Sequence, residues 1–352
     1  MSPQILIYGA TGYTGKLVAA EAARRGLDAI LAGRDAEKLK RVAAPLGLET
    51  RVVSLSDPVR LRAALDDIDC VLHIAGPFSQ TASPMLEACL DRRTHYLDVT
   101  GEIGVFEAIA RRDAEARAAG ILLLPGVGFD VVASDCLAAH VASQVEEPTL
   151  LRIAIAGVGG AMSRGTAKTA LESFGDGLRI RRDGILCKRP AGSLEHRFDF
   201  GAGLARGVAM PWGDVATAFH STGIPNIEVY FIFSGGFARA LKASRFVAPL
   251  LRLAWVEQFL KARIDARPEG PDEDVRASTR AVLIAEVEGP GGQSARARLE
   301  TPNAYTLTYQ AAVEVALRVA RGEAATGYHT PSTAFGADFV LDLPDCQRTD
   351  ID

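Results

Sequence analysis

The sequence predicts an α/β protein, with an N-terminal doubly wound parallel sheet followed by a second, α+β domain. Three observations carry that prediction. Over residues 1–130, short apolar runs alternate with amphipathic, alanine-rich segments, the rhythm of successive strand–helix units. The first apolar run ends in a glycine-rich turn that opens at once into a helical pattern. After Asp130 the rhythm changes to longer β-rich stretches with hairpin signals.

Strands are expected at residues 4–8, 29–32, 49–53, 70–74, 96–99 and 121–124, each a short run of mainly apolar or β-branched side chains. Helices are expected between them at 16–25, 36–46, 58–65, 84–92 and 103–119. Gly26 and Gly47 stand where two of these helices should stop, and Asp57-Pro58 reads as an N-cap followed by a first-turn proline. A helix at 131–144 leads into the second domain. There Arg182-Asp183-Gly184 and Gly289-Pro290-Gly291-Gly292 each lie between alternating segments, as tight turns do. A last helix at 305–321 ends at Gly322 and is expected, with the tail, to pack back on the first domain. The expected division is therefore 1–130, 131–304 and 305–352.

The chain's 352 residues suffice for two hydrophobic cores, and a net charge of −4 gives no footing for nucleic acid as a partner. No run approaches the roughly 18 apolar residues of a membrane span. Met1-Ser2-Pro3-Gln4 runs into the first strand without a charged leader, so a cytoplasmic protein is expected. The five cysteines are widely spaced with no Cys-x-x-Cys pair, which suits reduced, buried thiols. His73 points off a buried strand and reads as a core residue. No His/Cys/Asp cluster has metal-ligand spacing, so no metal is expected.

The first strand runs into Gly9-Ala10-Thr11-Gly12-Tyr13-Thr14-Gly15. Gly9 permits the sharp turn, Gly12 lets the backbone approach a pyrophosphate, and Gly15 lets the helix pack close to the sheet. The helix N-terminus then faces the phosphates, as in a Rossmann dinucleotide site. The second strand ends Ala32-Gly33-Arg34-Asp35, with Lys38 one turn on. Arg34 suits a ribose 2′-phosphate and Lys38 adds a second cation, so NADP is the expected cofactor. Asp35 is either a helix cap or an acid for the ribose. After the fourth strand, Ala75-Gly76-Pro77 lets the chain pass close to the cofactor.

Many enzymes with this loop spacing use a Tyr-x-x-x-Lys proton donor. None of the seven tyrosines here has a lysine four residues on, which excludes the short-chain dehydrogenase mechanism. No Gly-x-Ser-x-Gly elbow or His-Glu-x-x-His helix offers another chemistry. The residues do carry a resemblance. Gly9 to Gly15, Ala32-Gly33-Arg34, Ala75-Gly76-Pro77-Phe78, His95 to Glu102 and Pro125 to Asp130 come in that order. Ser163 to Thr166, Pro211 to Asp214, Gly270-Pro271 and Thr330 to Gly336 continue the series. Together they resemble the saccharopine dehydrogenase-like NADP-binding oxidoreductase family, nearest in look to its trans-acting enoyl reductase branch. That family also holds saccharopine reductases, which reduce an imine, and members of unknown activity.

In a doubly wound fold the ligand lies beyond the carboxyl ends of the strands, which is where Thr100, Glu102 and Asp130 are expected. With Asp98 they are the candidates for moving the proton that hydride addition demands. Glu102 and Asp130 also suit plain roles at helix starts. Phe129 and Ser163-Arg164-Gly165-Thr166 are candidate substrate contacts, the latter with helix-start amides for a carbonyl or carboxylate oxygen. The expected substrate is a small molecule of largely apolar character reduced by NADPH. An imine adduct bound by converging arginines and a non-catalytic NADP-binding sensor are the alternatives. Residues 237–264 form an apolar, basic stretch with Pro249 splitting it. It is expected to serve as core, lid, homodimer contact or membrane-surface anchor.

Overall fold

Strand β1 (Ile5–Tyr8) is buried on both faces, as its unbroken apolar sequence requires of a strand with helices above and below. The computed structural model describes residues 4–157, 162–174, 177–201, 203–233 and 254–351. The chain divides into two units, one of residues 1–132 and 305–336, the other of residues 133–304 and 337–352.

Among the described residues, the first unit holds a seven-stranded sheet. Its strands are β1, β2 (Ala29–Gly33), β3 (Glu49–Val52), β4 (Cys70–His73), β5 (His95–Asp98), β6 (Leu122–Leu124) and a later pair, Gly327–Tyr328, at the edge. The order is β3-β2-β1-β4-β5-β6 and then that pair, every neighbour parallel. This is the doubly wound order, and the winding reverses between β1 and β4, which puts the ligand crevice at their carboxyl ends.

The connecting helices are α1 (Tyr13–Arg24), α2 (Ala36–Ala43), α3 (Pro58–Ala63), α4 (Phe78–Arg92), α5 (Ile103–Ala110) and α6 (Asp113–Ala119). Asp35 and Asp57 cap α2 and α3 by accepting from the N–H groups of Lys38 and Arg60. Helix α4 starts six residues before the expected 84, so Pro84 lies inside it. The expected helix at 103–119 is two helices. The break falls at Arg111-Arg112, where the Arg112 side chain bonds both Glu87 and Glu115.

Helix α7 (Phe129–Ala142) leads into the second unit. The central strands there are β7 (Leu150–Ala156), β12 (Asn226–Ile232), β13 (Arg280–Glu288) and β14 (Ser294–Pro302). β7 and β12 run parallel, while β13 pairs antiparallel with β7 and with β14. β8 (Leu178–Arg182) and β9 (Ile185–Arg189) form a hairpin whose turn, Asp183-Gly184, has positive φ at both residues (51° and 76°). β10 (Glu195–Asp199) and β11 (Leu204–Ala209) extend the sheet beyond β12. The described helices of the unit are α8 (Arg164–Phe174), α9 (Asp214–Thr222), α10 (Ala254–Asp265) and α11 (Glu273–Ser278).

The expected tail divides differently. Helix α12 (Ala304–Ala320) and the short α13 (Pro331–Phe335) belong with the first unit, apart from α12's first residue. Residues 337–352 belong instead to the second, because strand Gln347–Ile351 pairs antiparallel with β14. Of the 237–264 stretch, residues 237–253 with Pro249 lie outside the described residues. Its described end is α10, tied to α8 by a 2.6 Å Lys168–Asp265 ion pair, with Ile264 buried and Phe259 exposed. No helix among the described residues is long and apolar enough to cross a membrane.

Candidate cofactor site and acidic rim

The three loop glycines answer to different constraints. Gly9 has φ +92°, and a Cβ there would stand 2.8 Å from the Ala75 nitrogen. A Cβ on Gly15 would stand 2.2 Å from the Gly9 carbonyl oxygen. The fold itself therefore requires both glycines. Gly12 is different: a Cβ would meet nothing nearer than 3.5 Å, and φ is an ordinary −76°. Gly76, after β4, is likewise roomy, its nearest neighbour at 3.6 Å being the Phe78 ring. Space is thus kept at Gly12 and Gly76 that the protein's own packing does not use. Helix α1, starting at Tyr13, has no side-chain cap, whereas α2, α3, α11 and α13 are capped by Asp35, Asp57, Asp272 and Thr330. An uncapped helix start behind a glycine cradle fits a pyrophosphate. Thr11 and Thr14 lie half-buried in this loop, and Tyr13 meets Tyr305 edge-on at 5.2 Å.

Arg34 follows β2 directly, is exposed, and makes no ion pair or side-chain hydrogen bond among the described residues. Asp35 is occupied twice: it caps α2 and lies 3.2 Å from the Lys38 ammonium, and these contacts hold its carboxyl below the usual range. Of the two expected cations, Lys38 therefore already has an anionic partner. Arg34 is the one available to a 2′-phosphate.

A continuous rim runs along the carboxyl ends of β1, β4, β5 and β6. Gly9 abuts Ala75 at its first step. The next link is Glu102, whose carboxylate accepts from the N–H groups of Phe78 and Ser79, both at 2.8 Å. It thereby satisfies two of the orphan donors at the start of α4 and fixes the loop Ala75-Gly76-Pro77, which includes a cis Gly76–Pro77 bond. Its backbone N–H donates to the Thr100 hydroxyl at 3.1 Å, so Thr100 is buried and holds the loop.

Asp98, at the end of β5, is fully buried and accepts from the Tyr96 hydroxyl, Thr100 N–H and Gly126 N–H. Burial pushes its carboxyl up to about 6 against those hydrogen bonds, which pull the other way. It clamps β5 to the loop after β6. Asp130 completes the rim. Its carboxylate oxygen lies 2.8 Å from where a Cβ on Gly101 would be, and burial raises this carboxyl also to about 6.

Other expected contacts take plainer places. The Phe129 ring is buried in the protein's own core, while its N–H donates to the Thr308 hydroxyl at 3.0 Å, so it offers no face to a substrate. Ser163 and Thr166 belong to the start of α8, where the Ser163 hydroxyl accepts from Thr166 N–H at 3.2 Å. The Arg164 guanidinium donates to the Arg267 carbonyl and is spent on its own unit. The helix that carries Thr308 is the one expected at 305–321, but Thr308 itself does not stand out in the sequence, because its contact with Phe129 spans 179 residues. No group of three metal-ligating side chains is assembled among the described residues.

Residues 5–124 match the model of the saccharopine dehydrogenase NADP-binding domain. They form such a domain, and its cofactor is NADP. The chain is similar to part of the trans-acting enoyl reductase of Mycobacterium leprae, 36% identical over 139 residues, which are 37% of this chain and 33% of that protein. The chain is also similar to the human saccharopine dehydrogenase-like oxidoreductase, 27% identical over 203 residues, covering 51% of this chain and 47% of that one. The chain thus matches a third to a half of the length of these relatives. Apo saccharopine dehydrogenase (L-Glu forming) from Saccharomyces cerevisiae aligns over 99% of this chain and 100% of its own, with a TM-score of 0.68 and 12% identity. At that identity the likeness is one of fold.

Proposed function

We propose that this protein is an NADPH-dependent oxidoreductase acting on an unsaturated or carbonyl-bearing substrate of largely apolar character. The observation that carries the reading is the pairing of a roomy glycine cradle at Gly12, before a helix start without a side-chain cap, with an exposed Arg34 that makes no ion pair among the described residues. Bound NADPH supplies the hydride. The residues of the chain hold and orient it: α1 amides at the pyrophosphate, Arg34 at the 2′-phosphate, and Ala75-Gly76-Pro77 as a wall fixed by Glu102. Reduction of a polarised double bond also needs a proton. Asp130 is the rim acid proposed to hold one near neutral pH, since burial raises its carboxyl to about 6.

The apolar character of the substrate is supported by the second unit. It carries an open groove of about 440 Å³ lined by Ala156, Phe200, Leu204, Ile232 and Val282 among others, with a single cation, Arg298. An imine formed from two amino acids would need several converging arginines. Of the five candidates, Arg152, Arg164, Arg179, Arg181 and Arg197, three are engaged separately: Arg152 by Glu228 and Glu288, Arg164 by the Arg267 carbonyl, Arg181 by the carbonyls of Val215 and Gly184. Turnover assays distinguish these substrates. NADPH oxidation should be detected with α,β-unsaturated acyl thioesters or long-chain ketones and rise with chain length. Turnover only with amino-acid and aldehyde mixtures would overturn the apolar reading, and binding without turnover on any of them would favour a sensor.

A further inference from the structure

The NADP-site wall Ala75-Gly76-Pro77 is held by Glu102 at its far end, but its near end lies over His73 and Thr81. We infer that His73 and Thr81 are positioning residues for the NADP site, acting through the Ala75 carbonyl; this rests on the NADP-binding reading of that wall. His73 ends β4 and is wholly buried, its ring packed among Tyr8, Phe78 and Tyr96. Its Nε2 is 3.1 Å from the Thr81 hydroxyl oxygen. That hydroxyl in turn lies 2.5 Å from the Ala75 carbonyl oxygen and 3.1 Å from that of Pro77.

The proton count decides the direction. A threonine hydroxyl has one proton, and two carbonyl oxygens, which can only accept, lie within its reach. When Thr81 donates to Ala75, the proton between Thr81 and His73 must come from the imidazole. His73 is therefore the Nε2–H tautomer with Nδ1 bare. Nδ1 has no hydrogen-bond partner, which a bare ring nitrogen tolerates better than a buried N–H would. Burial keeps the ring neutral, lowering its pKa to about 3, so the arrangement does not titrate in the physiological range. The result is a fixed line: His73 donates to Thr81, and Thr81 donates to the Ala75 carbonyl. Ala75 is the residue against which Gly9 of the phosphate loop packs, so a shift of that carbonyl moves the cradle wall. The same two residues explain why a histidine occupies an otherwise apolar strand.

The test uses the full chain, NADPH titration by fluorescence, and melting temperature measured beside it. Thr81→Val keeps the volume and loses the hydroxyl; NADPH should bind roughly three- to ten-fold more weakly, and Thr81→Ser should restore affinity to within about twofold. A purely structural threonine would lower the melting temperature and leave the affinity of the folded protein unchanged, which would overturn the inference. Nitrogen-15 NMR of wild-type His73 is the second measurement, independent of any variant's folding. It should show protonated Nε2 and bare Nδ1 from pH 5 to 8, and the opposite tautomer would overturn the inference. Arg34→Ala separates the two levels of the argument. If it weakens NADPH while Thr81→Val does not, the positioning claim fails alone; if the wild-type protein does not bind NADPH, both claims fail.

Discussion

Gly12 and Gly15 stand three residues apart in one motif, yet only one of them is demanded by the chain's own packing. Gly15→Ala places a methyl 2.2 Å from the Gly9 carbonyl, an overpacking that should cost roughly 1–3 kcal/mol in urea denaturation. Gly12→Ala has room in the protein, so its unfolding midpoint should stay near wild type while NADPH affinity falls at least about tenfold. Equal effects of the two substitutions on stability would contradict this division. Arg34→Ala should weaken NADPH roughly ten- to hundred-fold and leave NADH unchanged, because only the 2′-phosphate meets the guanidinium. These residues were legible in the sequence because a phosphate loop and the residue after the second strand sit at fixed places along the chain. Glu102 and Asp98 were legible as candidates but not in their roles. Their partners, Phe78 and Gly126, lie 24 and 28 residues away and become neighbours only through strand order.

At the scale of elements, Glu102 is the cap that α4 lacks in its own sequence. Glu102→Ala leaves two N–H groups without their acceptor and should destabilise the protein by about 1–2 kcal/mol, with Glu102→Gln intermediate because its amide offers one acceptor oxygen. The distant cap also explains why the start of α4 was not visible: nothing local marks Phe78 as a helix start, whereas Pro84 does look like one. Asp98 joins β5 to the loop after β6 and gives stability a pH signature. Its carboxyl titrates at about 6 when folded against an ordinary 3.8, so the folded state holds the proton more tightly than the unfolded chain. Stability from this group is complete below about pH 4 and is lost as pH rises through 6, by about 3 kcal/mol at most. Denaturation of wild type and Asp98→Asn at pH 4 and pH 7 checks this: wild type should lose ground to the variant between the two. A gap independent of pH would contradict it. The Gly327–Tyr328 and Gln347–Ile351 strands escaped the sequence reading because one is two residues long and the other is mostly polar.

For the molecule as a whole, the parallel sheet was readable because buried parallel strands are near-continuous apolar runs, while the second sheet was readable chiefly at its turns, such as Asp183-Gly184. The division of the tail was not readable. Residues 337–352 join the second unit through backbone pairing with β14, which needs no hydrophobic signature. The central proposal is that hydride leaves NADPH, held at this rim, for a carbon of a polarised double bond in a substrate of largely apolar character. The most direct measurement uses NADPH deuterated at one or the other face of the nicotinamide C4, with an α,β-unsaturated acyl thioester or a long-chain ketone as acceptor. The account predicts product heavier by one deuterium with one of the two labelled faces and unlabelled product with the other. Product free of deuterium from both, or no product while NADPH stays bound and unoxidised, would contradict it.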